Sequence, residues 1–184
     1  GFSSLHPKIA IELVTTTQQM HVNRREADVF LSFFPMAGKS IDVVPLGSFP
    51  LHLYASPEYL TRHGHPCDLD DLLDHQFASY VDDLIQLDTV RWLNEIISRP
   101  KLAFQSSSMM AQMFAAAAGA GIVMLPSFAK PERLGMIKLL DEQVTVRRTI
   151  WMTVHRDLQY LPRIKAVTRF LEKTIGRDYP CRTD

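Results

Sequence analysis

The stretch "DVFLSFF", Asp28 to Phe34, is apolar at both odd and even positions. A strand with one wet face alternates apolar and polar residues, so a run without alternation predicts a strand covered on both faces. Covering both faces takes layers on either side of a sheet, which points to an α/β architecture and to a central, parallel strand. "IVMLP", Ile122 to Pro126, has the same character.

The remaining segments fit around such strands. "KIAIELV" alternates, placing Ile9, Ile11 and Leu13 on one strand face, and a polar segment follows it. "IDVVPLGSF" and "PLHLYASP" predict two strands, the first an edge or bulged strand because Pro45 cannot donate to a ladder. "PEYLTRHGHP" predicts a short helix with Pro57 in its first turn and Gly64 at its stop. From about Leu69 the pattern restarts. "DLDDLLDH" and "VRWLNEII" predict helices, the second with Val90, Leu93 and Ile97 on one stripe, and "QFASYV" and "KLAFQS" predict strands. "SSMMAQMFAAAAG" predicts a serine-capped helix, "PERLGMIKLL" a turn and short strand, and "RRTIWMTVH" another strand. "LPRIKAVTRFLEKTIG" predicts the last helix, opened by Pro162 and stopped by Gly176, with Ile164, Val167, Phe170 and Leu171 on one stripe; "RDYPCRTD" reads as a frayed tail.

The 184 residues and 46% hydrophobic content suffice for one domain or two small lobes. Lys plus Arg and Asp plus Glu are 20 each, so no whole-chain field draws nucleic acid or an anionic membrane surface. No apolar run approaches the roughly 20 residues of a membrane span, and no charged-then-apolar leader opens the chain. Cys67 and Cys181 lie far apart, which fits a reducing compartment, most simply the cytoplasm. The opening "GFSSLHPKIAIEL" reads as entering a helix already near its end, as a fragment would.

Several motifs invite chemistry. "FAAAAGAGIVMLP" has closely spaced glycines, but a dinucleotide fingerprint runs strand, glycine loop, helix, with the pyrophosphate at the helix N-terminus. Here the helix comes first, Gly119 sits where a left-handed cap would end it, and Met124 stands in place of the third glycine. No nucleotide cofactor is implied, and Ala115 to Ala118 read as a close-packing surface inside the lobe or across a dimer. "HGHPC", His63 to Cys67, offers metal-ligand side chains but lacks a second ligand pair, so no metal is expected. No "GxSxG" elbow surrounds Ser127, and Glu26 and Asp28 are explained by the neighbouring Arg24 and Arg25, so no catalytic residues are assigned. Trp92 and Trp151 read as core residues. Ser106 to Ser108 stand between a strand and a helix, where they either cap the helix or offer hydroxyls to a ligand, and Thr15 to Thr17 with Gln18 stand at the end of the first strand. Two polar strand ends, one in each half of the pattern, imply a cleft.

In order and spacing, "HPKIAIEL", "READVFLSF", "VVPLGSFPLHLYASPEYL", "HPCDLDDLLDH", the tryptophan of "VRWLNEI", "AAAAGAGIVMLP" and "WMTVHRDLQYLPRIKAVTRFLEK" resemble the effector-binding domain of LysR-type transcriptional regulators over residues 2 to 173. The resemblance implies two Rossmann-like α/β lobes joined by two crossover strands, as in type II periplasmic binding proteins. Lobe I would be 1–56 with 145–184, and lobe II 57–144, with the first strand of lobe I and the N-terminal winged helix-turn-helix absent from the chain. It implies a small-molecule effector between the lobes, contacted by Thr16, Thr17 and Gln18, by Phe33 and Phe34, by Tyr80 and Val81, and by Ser106, Ser107 and Ser108. It implies no cofactor, a head-to-tail dimer within a tetramer, and DNA reached only through the missing N-terminal domain. Met109 to Ala118 and Ile9 to Val14 are the segments expected at the dimer contact. A transporter's solute-binding protein with the same fold is the alternative reading, and a small cytosolic enzyme a further one that lacks a nucleophile and its base.

Overall fold

A computed structural model describes residues 1–15, 27–81 and 92–181. The chain forms two compact units, Gly1–Ser48 with Arg148–Asp184, and Phe49–Arg147. It changes unit inside one strand and at the start of another, at 48/49 and 147/148, whereas the boundary implied by the resemblance, between 56 and 57, falls at the start of a helix.

In the first unit, α1 (Phe2–Leu5) sets the Phe2 ring edge-on to Phe170 at 5.2 Å. Strand β1 (Val29–Ser32) pairs antiparallel with β7 (Arg147–His155), and β7 lies beside β2 (Ile41–Ala55). The parallel, central placement expected for β1 is therefore corrected: its neighbour runs the opposite way and Leu31 is 49% exposed. Side-chain parity reports how much of a strand is covered and carries no information on the direction of its partner. Residues 9–15 pair with no strand among the described residues, and Leu13 is 80% exposed, so the alternation there does not make a ladder.

The two strands expected on either side of Pro50 are one strand, β2, of 15 residues. Pro45 is exposed, and among the described residues the first half of β2 has only β7 beside it, an edge position where a residue without an N–H is tolerated. Helix α4 (Pro162–Asp178) runs through Gly176 and ends only before Tyr179, whose successor Pro180 excludes the helical conformation at that residue. The expected frayed tail is thus helical to Asp178, and the Tyr179 carbonyl accepts from Ser48 N at 3.0 Å. A Cβ on Gly47 would overlap that carbonyl, so glycine lets the helix end meet β2.

The second unit is built on β5 (Ile122–Pro126), buried at every residue. It pairs antiparallel with the second half of β2 and parallel with β3 (Gln76–Ser79); β3 pairs parallel with β4 (Lys101–Gln105), and β6 (Ile137–Leu139) lies on β2. Helix α3 (Met109–Ala117) packs Met113 and Ala116 against Tyr54, Ala78, Val123 and Leu125. Ala116 is fully buried; its small side chain lets the helix lie close on the sheet. Gly119 ends α3 at φ 88, and Gly121, at φ 152, passes so near β3 that a Cβ would stand 2.5 Å from the Gln76 carbonyl oxygen. Of the expected helix around Trp92, the described part is a 3-10 turn (Trp92–Glu95), with Trp92, Leu93 and Ile97 buried; Val90 lies outside the described residues.

Helix α2 (Pro57–His63) is capped by Ser56, and its Tyr59 joins it to the start of β3. The Tyr59 hydroxyl accepts from Gln76 N at 2.8 Å and shares a hydrogen bond with Nδ1 of the buried His75 at 3.1 Å. Burial, then repulsion by His63, lowers the His75 pKa, against weaker opposing pulls from Asp71 and Asp74. His52 is shifted the same way by burial and Lys138; its Nδ1 lies 3.0 Å from Asp141 without hydrogen-bond geometry. In the unfolded chain both rings take up a proton near 6.5, while in the folded chain they resist it. Stability is therefore full above about pH 7 and declines as pH falls through 6.5 toward the folded values. Urea midpoints measured between pH 7.5 and pH 5.5 should fall for the wild type, with a visibly shallower slope in His75→Gln.

Candidate functional site

Parallel β3 and β4 end side by side, and the backbone beyond them stays joined: Ser106 N donates to Ser79 O at 3.0 Å, and Gln105 Nε2 donates to Tyr80 O at 3.2 Å. The chain then turns into α3 through the serine run. Ser108 is the N-cap, its hydroxyl accepting from Ala111 N at 3.4 Å. The Ser106 hydroxyl accepts from Ser108 N at 3.1 Å, and its carbonyl accepts from Gln112 Nε2 at 2.8 Å. Gln112 is 2% exposed, so the buried amide fixes the strand end to the helix. Ser107, between them, is exposed and its side chain bonds to no described residue.

Tyr80 and Val81 continue from β3, both half-buried. The Tyr80 ring meets Trp92 edge-on at 6.4 Å, and burial raises its pKa, so the hydroxyl is a neutral donor at physiological pH. Among the described residues nothing accepts from it. Tyr80, Val81 and Ser106 to Ser108 are thus brought together at one edge of the second unit.

In the first unit, Phe33 and Phe34 follow β1 directly, both half-buried, with the Phe34 carbonyl accepting from the Ser32 hydroxyl at 2.7 Å. Thr16, Thr17 and Gln18 lie outside the described residues; Thr15, just before them, is exposed. Trp92, Gln105 and Gln112 were not singled out as site residues in the sequence. For Gln112 a signal existed, a polar residue on the core side of an otherwise apolar helix; for Trp92 and Gln105 the role depends on packing across strands.

The His63 to Cys67 cluster is a turn. His63 stacks on Tyr59 at 4.5 Å, and Cys67 N donates to Asp71. Among the described residues no group of three or more His, Cys, Asp or Glu side chains is placed to hold a metal. The polar atoms at the strand ends are hydroxyls and amides; Tyr80, Gln105 and the serines can hydrogen-bond a ligand but provide no base to accept its protons.

This arrangement belongs to a known class of binding fold. The regulatory domain of CrgA, a LysR-type regulator from Neisseria meningitidis, matches with a TM-score of 0.78 at 21% identity, over 95% of this chain and 88% of that one. The effector domain of AmpR from Pseudomonas aeruginosa matches with a TM-score of 0.70 at 19% identity, over 97% and 86%. The fold is the α/β type II periplasmic-binding-protein kind. Residues 1–175 match the LysR substrate binding domain, and the chain belongs to that family, the regulatory part of LysR-type transcription regulators. The regulator YhjC of Escherichia coli is 28% identical over 146 residues, 76% of this chain and 48% of its own length. An HTH-type regulator of Haemophilus influenzae is 30% identical over 169 residues, 88% and 57%. The chain spans about half the length of these relatives, which are transcription regulators rather than enzymes and lend no support to the transporter reading.

The serine run separates stability from exposure. Ser108→Ala should cost about 1 kcal/mol in chemical denaturation, the usual loss for an N-cap, while Ser107→Ala should stay within about 0.5 kcal/mol of wild type.

Proposed function

We propose that the chain senses a small, partly polar organic effector and, in a longer regulator, passes that signal to an attached N-terminal DNA-binding domain. The observation that carries this reading is the pair of hydroxyls without a partner among the described residues, Tyr80 and Ser107, the latter in a serine run whose other members are tied down. Ligands of open α/β sheets bind outside the carboxyl ends of parallel strands, which is where β3 and β4 deliver these groups. Val81 and Ser106 share that edge; Phe33 and Phe34, and Thr16, Thr17 and Gln18, are the further contacts that the family resemblance assigns.

The same reading puts the regulator in the cytoplasm; no helix of the described residues is long and apolar enough to cross a membrane. It also makes the domain a dimer, head-to-tail, and a tetramer in the full regulator. Met110 and Phe114, 47% and 54% exposed on α3, and Ile11 and Leu13 supply the apolar surface for such a contact.

Thermal shift across a library of small carboxylates and aromatics tests the site. A ligand present at 100 times its Kd stabilises by about 2.7 kcal/mol, and Ser107→Ala and Tyr80→Phe should each weaken the hit at least tenfold. Equal stabilisation of wild type and both variants places the effector elsewhere. For self-association, Phe114→Asp should shift sedimentation toward the monomer; an unchanged dimer removes α3 from the contact.

A further inference from the structure

Along α4, Lys165, Arg169 and Lys173 recur every fourth residue, a ridge about 12 Å long on one side of the helix. Beside that ridge runs a groove of about 470 Å³, floored by Phe170, Leu5 and Tyr160 and edged by the three cations and His6. Leu5 and Tyr160 are 68% and 71% exposed. The Lys165 ammonium lies 5.7 Å from the Tyr160 ring centroid, so the first cation is held at the rim above an aromatic face.

Five other cations sit in ion pairs: Arg62 with Glu58, Lys101 with Asp74, Lys138 with Asp141, Arg156 with Asp42, Arg177 with Asp178. No carboxylate among the described residues pairs with Lys165, Arg169 or Lys173. In a chain of zero net charge, three unpaired cations in line above an apolar trough are a local concentration.

We propose that this groove docks an acidic amphipathic helix of a partner protein. A small organic anion would pair with one cation and leave two unexplained. A phosphate backbone would gain nothing from a floor of Phe170, Leu5 and Tyr160. A helix with an apolar stripe and carboxylates every fourth residue matches both the floor and the spacing of the ridge. Electrostatic attraction sets the encounter and apolar burial holds the complex, so binding weakens with salt without vanishing.

The probe is a fluorescein-labelled synthetic helix of about four turns, with leucines on one stripe and glutamates at every fourth position beside it. Anisotropy with the whole chain should show saturable binding. Charge reversal by Lys165→Glu, Arg169→Glu and Lys173→Glu together should weaken it at least tenfold, and the same helix with lysines in place of glutamates should then bind the reversed variant and not the wild type. That swap separates docking from loss of fold. Leu5→Ser should weaken binding of the glutamate helix without reversing the preference. The proposal is overturned if the glutamate helix fails to bind or binds the reversed variant as well as wild type. It is equally overturned if a scrambled peptide of the same composition binds as tightly, or if phosphatidylserine vesicles or duplex DNA outcompete the helix for these three cations. In a longer protein carrying this domain, the groove must still take the helix; failure there assigns the surface to the protein's own chain and ends the proposal.

Discussion

The close approach of β5 to β3 at Gly121 is the constraint on which the second unit depends. A backbone at φ 152, with no room for a Cβ beside the Gln76 carbonyl, lets Ile122 enter the sheet directly after the helix. Once β5 is seated, its backbone groups must be paired on both sides because no water reaches them, and β2 and β3 supply the partners. Helix α3 then has one face to cover, and Ala116 sets how near it comes. The position of Ser106 to Ser108 follows, since they are the links between β4 and that helix.

The serine run shows how one short polar segment divides its work. Ser108 satisfies a helix N–H, Ser106 joins strand to helix through Gln112, and Ser107 has no partner among the described residues. A polar group without an internal partner costs little at the surface and nothing need remove it. Such groups are therefore where a ligand finds hydrogen bonds that the fold has not already used. Tyr80 has the same standing for a different reason: its ring is held by Trp92 and burial keeps its hydroxyl protonated, yet no described residue accepts that proton.

Much of this was legible in the residues. "SSMMAQMFAAAAG" gave cap, helix and glycine stop because these are local rules about backbone N–H groups and left-handed φ. "IVMLP" was legible as a fully covered strand because five apolar residues cannot face water on either side. Pro45 was legible as an edge residue for want of an N–H. Others were not legible. Whether β1 runs with or against its neighbour, and whether residues 9–15 find a neighbour at all, depends on which strand arrives beside them. Gly176 looked like a stop, but a glycine ends a helix only where the chain needs positive φ, and here Pro180 sets the end instead.

By itself, then, the sequence determined which segments are helix or strand, which faces are apolar, and, through the order of its motifs, the family. These follow from period, capping and composition, which act over a few residues. Only the tertiary structure decided that, among the described residues, one serine of three stays free, that Gln112 turns its amide inward to Ser106, and that Lys165, Arg169 and Lys173 find no carboxylate among those residues along a groove floored by Leu5, which is remote in the chain. Hydrogen bonds and ion pairs are settled by who comes within reach, and reach is set by packing between segments far apart in sequence.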